Sequence, residues 1–280
     1  MLLNAGHTLD PTVESVWRIR HGFDQPIILQ YLFYLRNLIE GDFGLSYYYS
    51  GRPVVELLAP AVRTTIEWQI PALLVAVIGA VGVAIATSVY RKQWLDSATT
   101  TLLSIGLSFP EFVIATFLVL VFSIRLRVLP VAGTTTPIHL VLPIVTMAIP
   151  LCAALSQVLR SELAEVIQQN YVRTARAKGL TEHRVLMVHA LPNAILPFLT
   201  VVAIQVGRCI GGAFLIETIY NIPGVGWLVV SSVLQRDYPV VLAVTMVMTF
   251  AFVINSLVFD LVSGILDPRV CFVAKEQERL

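Results

Sequence analysis

The sequence has few charged residues: aspartate, glutamate, lysine and arginine make up 13% of its 280 residues, against about 25% in soluble domains. The formal net charge of +1 gives no electrostatic basis for binding nucleic acid. The three cysteines, Cys152, Cys209 and Cys271, lie too far apart in sequence to predict a metal site or a disulfide framework. No basic stretch followed by an apolar one opens the chain, so we expect no secretory signal peptide.

The sequence also lacks short motifs that carry chemistry. It contains no Gly-Lys pair, and therefore no G-x-x-x-x-G-K-[ST] loop to cradle the phosphates of ATP. Neither H-E-x-x-H nor G-x-S-x-G is present, so zinc-protease and serine-hydrolase chemistry has no support. We predict no catalytic residue, no metal site and no cofactor bound by this chain.

Hydrophobic residues, by contrast, make up 56% of the chain, and its mean hydropathy is +0.78. A helix needs about 20 apolar residues to cross a bilayer. Five stretches meet that length: Trp68–Tyr90, Leu102–Ile124, Ile138–Leu159, Asn193–Ile216 and Tyr238–Phe259. Because hydrocarbon admits only helices and closed barrels, we predict an all-α polytopic membrane protein with five transmembrane helices.

The chain divides into three parts by composition. Residues 1–63 contain acidic and basic residues and several glycines, which predicts a soluble segment with short amphipathic helices. Residues 64–265 hold the predicted spans and form the transmembrane domain. Residues 266–280 form a tail.

Lysines and arginines are unevenly distributed over the connections between the predicted spans. Ten lie in loops 91–101 and 160–192 and after residue 260, whereas three lie in loops 125–137 and 218–237. Since positively charged loops stay in the cytoplasm, this bias places the first group there and the N-terminal segment outside. That segment then has no evident means of export, so either the first span directs it or a further span precedes it.

Loop 160–192 shows a helix–turn–helix pattern. Apolar residues at Leu163, Val166, Ile167 and Val172 predict one short amphipathic helix. Gly179 would end it, because glycine tolerates positive φ, and Leu180–His189 would form a second helix. By charge alone, this could equally be an ordinary basic loop held in the cytoplasm.

The string Tyr171–Leu180, followed by Leu191-Pro192, resembles the "EAA" loop of ABC importer permeases in the version found in dipeptide and oligopeptide permeases. Arg173 and Thr174 stand where the family motif opens with Glu-Ala, and His189 stands where it has Ile. Further segments resemble the subunit with the long first external loop, so that the likeness covers roughly residues 10–270. They are Gly22–Pro26, Gln30-Tyr31, Gly41–Ser46, Gly51–Val54, Pro223–Gly226, Arg236–Pro239 and Asp267–Arg269.

This resemblance implies an ABC importer permease fold in the bacterial cytoplasmic membrane and import of di- or oligopeptides by alternating access. It implies as partners a second homologous permease, one or two ATPases that bind ATP and Mg, and an extracytoplasmic peptide-binding protein. The ATPase-coupling residues would be Arg173, Ala175, Arg176, Lys178, Gly179, Leu180 and Arg184. The family usually has six spans, so its first helix would be missing from this chain.

Polar residues within the predicted spans are candidates for the transport pathway, because ionisable groups in a bilayer are costly. The pathway candidates are Glu111, Gln205, Arg208 and Asn255, and Glu67, Glu217 and Asp260 lie nearer to span ends. Each could instead form an ion pair or an interhelical hydrogen bond that only fixes packing.

Other functions remain open at this stage. Nickel or metallophore permeases resemble this chain closely. A self-contained secondary transporter would require an inverted repeat and a discontinuous helix at mid-membrane, and neither is evident in the sequence. An intramembrane enzyme would require a nucleophile and a base, which the sequence does not reveal.

Overall fold

The computed structural model describes residues 24–90, 93–210 and 214–266, without the side chains of residues 89, 90, 93, 208–210, 260 and 262–266. Its regular elements there are helical, apart from one antiparallel bridge between Leu45 and Pro53. The predicted all-α class is confirmed. Within the described residues, four helices are long and apolar enough to span a membrane, and the number rises to the five predicted spans if one bent pair counts as a single span.

The first long helix begins earlier than predicted. Helix α1 (Ile27–Ile39) has no buried residue, and α2 runs from Val54 to Tyr90. With 37 residues, α2 extends about 55 Å, well beyond a hydrocarbon core of about 30 Å. The predicted span began only at Trp68 because charged residues precede it. In the structure, two of these residues, Arg63 and Glu67, lie one helical turn apart and form an ion pair of 2.8 Å, which is compatible with a helix.

The second predicted span is not straight. Helix α3 (Gln93–Ser108) ends before Pro110, and α4 (Glu111–Leu118) continues through a π-helical segment, Val119–Arg125. The two halves meet at 98°. Proline has no N–H to donate and disfavours helical geometry in the residue before it, which explains the break. A discontinuous helix was not evident from the sequence, and the structure shows one break within this predicted span.

The remaining chain forms two long helices and several short ones. A 3₁₀ turn (Pro137–Leu140) leads into α5 (Val141–Val166), and the short helix α6 (Asn170–Ala177) follows. One turn, α7 (Glu182–Arg184), continues through a π-helical segment (Val185–Ala190) into α8 (Leu191–Ile210). The last three helices are α9 (Phe214–Ile219), α10 (Val225–Leu234) and α11 (Tyr238–Leu266). The fourth span therefore begins at Glu182, earlier than the predicted Asn193, and ends by Gly207.

Helices α2 and α5 pack side by side in the same direction. Trp68 lies in one apolar cluster with Leu142, and Ala84 lies in another with Leu159. Ala76, Ala80 and Ala84 are fully buried, since small side chains let helices approach closely. The bundle thus has two ends. The end that holds residues 160–184, where the chain turns between two spans, is called the elbow end. The end that holds residues 42–68 and 214–237, including the helical hairpin formed by α9 and α10, is called the hairpin end.

Candidate functional site: a basic elbow between two spans

The elbow comprises residues 167–184 and joins α5 to the helix that begins at Glu182. Its centre is α6, which begins after the extended residue Gln169. The single amphipathic helix predicted over Leu163–Val172 is divided: Leu163 belongs to α5, and Val172 belongs to α6. The Arg184 N–H donates to the Thr181 hydroxyl at 3.4 Å, which caps the following helix.

Gly179 ends the elbow helix as predicted. Its φ of +77° lies in the left-handed region, which side chains disfavour, while no atom lies within 4 Å of a Cβ built there. A substitution at Gly179 would therefore strain the backbone without a steric clash.

The inner face of the elbow forms its own small core. Val172, Ala175 and Val185 are buried together, with Val166 and Leu180 packed against them. Ala175 and Leu180, which the resemblance placed among the coupling residues, therefore contact the elbow's own core. Their packing fixes α6 against the start of the next span.

An ion pair spans the Gly179 turn. Arg176 Nε lies 2.8 Å from Glu182 Oε1, and Arg176 Nη2 lies 3.2 Å from Glu182 Oε2. This two-pronged geometry matches a guanidinium to a carboxylate. The predicted coupling residue Arg176 is thus engaged within the chain and braces the turn.

Three predicted coupling cations remain on the surface. Arg173, Lys178 and Arg184 are exposed and form no ion pair with any residue that the structure describes. Together they give the outer face of the elbow a positive charge that an acidic surface would complement.

A second charged contact lies beside the elbow. Arg160, near the end of α5, forms an ion pair with Asp96 and donates a hydrogen bond to Thr100 Oγ1 at 3.1 Å. Both partners lie on α3, so this contact ties the first half of the bent pair to the helix that leads into the elbow.

The pathway candidates do not form one site in the described residues. Glu111 begins α4 directly after the bend, whereas Gln205 and Asn255 are half-buried on the packed helices α8 and α11. Asn255 Nδ2 donates to the Ala203 carbonyl at 3.4 Å, so it serves the helix interface. The Arg208 side chain lies outside the described part of the chain.

The sequence analysis missed a polar network at the hairpin end. The Glu217 carboxylate is fully buried and accepts three hydrogen bonds, from Thr65 Oγ1 at 2.7 Å, Trp68 Nε1 at 3.2 Å and the Trp227 N–H at 3.0 Å. The Val225 N–H donates to Thr65 Oγ1 at 2.8 Å. Glu217 itself stood out as an ionisable residue, but its partners on α2 are about 150 residues away and share no local pattern.

A second buried carboxylate, Asp237, lies in the resembling segment Arg236–Pro239, but the sequence assigned it no role. Asp237 accepts hydrogen bonds from the Ser46 hydroxyl, from the Tyr47 N–H at 3.0 Å and from the Tyr48 N–H at 3.3 Å. Burial, followed by the negative charge of Asp237, raises the pKa of the Tyr47 phenol above its usual range. Asp237 thereby fixes loop 42–53 to the end of the α9–α10 hairpin.

Among the described residues, no group of three histidine, cysteine, aspartate or glutamate side chains could hold a metal ion. The geometry instead shows a helical bundle with a basic elbow at one end and carboxylates buried among hydrogen-bond donors at the other.

Residues 76–271 match the family described as "Binding-protein-dependent transport system inner membrane component". The match covers more than half of the chain, and the chain belongs to this family of membrane transport components.

Two relatives match over most of the chain. The dipeptide transport system permease protein DppB of Bacillus subtilis (strain 168) is 38% identical over 247 residues, which are 88% of this chain and 80% of that protein. The glutathione transport system permease protein GsiC of Escherichia coli (strain K12) is 35% identical over 268 residues, which are 96% of this chain and 87% of that protein. The resemblance to peptide ABC importer permeases is confirmed.

Two solved structures share the fold. An inward-facing structure of the MetNI methionine ABC transporter has a TM-score of 0.63 and 15% identity, covering 76% of this chain and 97% of that chain. A crystal structure of an amino acid ABC transporter with histidines has a TM-score of 0.58 and 14% identity, covering 75% and 94%. The bundle therefore has the fold of ABC transporter permeases.

Proposed function

We propose that this chain is the membrane-spanning subunit of an ATP-driven importer of di- or oligopeptides. The family provides the class of transporter, and the dipeptide and glutathione permeases among its relatives support a peptide as the substrate. The elbow end would lie in the cytoplasm and the hairpin end outside, as the distribution of lysine and arginine indicates.

The elbow is the observation that carries this function. It presents three exposed cations on and after the short helix α6, whose other face is packed against the start of the next span. Helix α5 runs directly into the elbow, and the span from Glu182 runs directly out of it. A partner that binds α6 and moves it would therefore displace two spans together.

The chemistry of transport would belong to partner subunits. An ATPase would bind ATP and Mg. The ATPase subunits would close around the bound ATP and thereby move the elbow. This chain and a second homologous permease would line the pathway, and an extracytoplasmic binding protein would deliver the peptide. Alternating access requires that the two ends of the pathway open in turn.

The function can be tested in vesicles. Co-expression with an ATPase, a second permease and an extracytoplasmic peptide-binding protein should yield a complex that takes up a radiolabelled dipeptide only when ATP is supplied. Uptake by this chain alone, driven by an ion gradient, would instead support the secondary transporter. Retention of nickel in place of dipeptide would support the metallophore permease.

A further inference from the structure

The Glu217 carboxylate is buried at the hairpin end without a described cation beside it. A buried charge is costly unless hydrogen bonds replace its hydration. Here the three donors come from two separate segments: Thr65 and Trp68 on α2, and the backbone of Trp227 on α10. The carboxylate therefore joins the hairpin to the first long helix.

Two glycines in the hairpin turn make room for this contact. A Cβ at Gly224 would overlap the Glu217 carboxylate, and a Cβ at Gly226 would lie 2.6 Å from the Phe214 Cα. The motif Pro223-Gly-Val-Gly226 thus has a physical role, because its glycines let α10 approach α9 and enclose the carboxylate.

The hairpin is also tied to the loop before α2. Asp237 holds Ser46 and Tyr47, and the Val54 N–H at the start of α2 donates to the Gly44 carbonyl at 3.0 Å. An apolar cluster that includes Val54, Leu58, Val225 and Leu228 fills the space between them. Loop 42–53 and residues 214–237 are therefore held together against the start of α2, and this loop and hairpin are here called the cap.

The cap is connected to the elbow through a continuous helix. α2 leaves the cap and packs along α5 in two apolar clusters, as far as Ala84 beside Leu159 and Leu163. α5 then leads into the elbow. Displacement of the elbow is transmitted along this helix pair only if the cap stays fixed to α2.

We propose that Glu217 is a positioning residue that locks the cap to α2, so that the outer end of the pathway moves with the elbow. This inference rests on the proposed function. Without the carboxylate, ATP hydrolysis continues at the partner subunit, but the cap no longer follows, and peptide uptake per ATP falls.

The test uses the assembled complex in vesicles and compares uptake with ATP hydrolysed. In Glu217→Gln, the amide presents an N–H₂ group toward N–H and O–H donors, so at least one hydrogen bond is lost. We expect roughly tenfold less peptide per ATP, the effect of one buried hydrogen bond to a charged group. Thr65→Val removes a donor on the α2 side, and Gly224→Ala crowds the carboxylate from within the hairpin, so both should act similarly. Thr65→Ser keeps the hydroxyl and should retain coupling. Glu67→Gln, on the exposed face of the same helix, is the control.

Hydrogen exchange of the same complexes provides a readout independent of transport. Glu217→Gln should raise the rate of amide hydrogen exchange in both residues 42–53 and residues 214–237. Glu67→Gln should leave these rates unchanged. An unchanged ratio of uptake to hydrolysis, or unchanged exchange, in all three disrupted variants would overturn the inference. Less complex with an unchanged ratio would also overturn it, since Glu217 would then serve folding alone. If the unmodified complex shows no ATP-driven uptake, the proposed function fails, and the exchange experiment still decides whether the lock exists.

Discussion

The two ends of the bundle use charge in opposite ways. At the elbow end, Arg173, Lys178 and Arg184 are exposed without a described acidic partner. At the hairpin end, Glu217 and Asp237 are fully buried, and each carboxylate accepts three hydrogen bonds from other groups of this chain. Exposed charge is available to another protein, whereas buried and paired charge fixes the chain's own segments. Charge at the elbow end is thus open to a binding partner, whereas charge at the hairpin end holds the chain's own segments together.

The largest effect should follow from reversing the exposed charge of the elbow. In the triple variant Arg173→Glu, Lys178→Glu and Arg184→Glu, repulsion from an acidic ATPase surface should weaken its attachment roughly hundredfold. Co-purification of the ATPase with the permease measures this. Arg52→Glu, an exposed arginine at the hairpin end, is the control and should leave attachment unchanged. Equal loss in both variants would remove the distinction between the ends.

Removing the Asp237 carboxylate should affect only the hairpin end. Asp237→Ala leaves the Ser46 hydroxyl and two amides without their acceptor, at a cost of about 1–3 kcal/mol for each group left buried and unpaired. Thermal unfolding of the complex should shift downward and residues 42–53 should exchange faster. ATPase co-purification should be unaffected, and its loss would show that the ends depend on each other for assembly.

Substitution of Gly179 should weaken coupling without loss of the membrane protein. In Gly179→Val, the left-handed backbone costs about 1–2 kcal/mol, so α6 should tilt and uptake should fall about tenfold. Gly82→Ala is the matched control, since its Cβ also has free space but its φ is ordinary. Uptake and membrane level are measured together, and full uptake with Gly179→Val would separate the elbow from transport.

The smallest effect should come from the Arg176–Glu182 ion pair. Because Glu182 is largely exposed, breaking the pair with Arg176→Gln should cost at most about 1 kcal/mol. The loss in uptake should be slight, and Arg176→Glu combined with Glu182→Arg should restore it. A large and unrescued loss would mean that Arg176 contacts the ATPase directly.

The local patterns of the sequence predicted the spans and the elbow but not the contacts between distant segments. Apolar runs located the membrane helices. Gly179 predicted the turn because glycine tolerates a positive φ, and its φ in the structure is +77°. The missing N–H of Pro110 favours a bend, yet a break of 98° depends on what packs around it. The burial of Ala175 could not be predicted, because it depends on contact with Val185, and that contact follows only from the geometry of the turn.

The hairpin end shows why the rest could not be predicted. Apart from the Trp227 N–H, the partners of its two carboxylates lie 149 to 191 residues away, and no spacing within one segment relates Glu217 to Trp68 or Asp237 to Ser46. Hydrophobic periodicity describes one helix at a time. Hydrogen bonds between helices depend on their packing, which composition does not specify.

Site-directed cross-linking gives the most direct test of the claim that the elbow is the ATPase-binding end. The three native cysteines are first removed by Cys152→Ala, Cys209→Ala and Cys271→Ala. In this background, Lys178→Cys places a thiol at the elbow end, and a separate variant, Tyr48→Cys, places one at the hairpin end. The account predicts cross-links from position 178 to an ATPase subunit and none to it from position 48. Cross-links to the ATPase from position 48, with none from position 178, would contradict it.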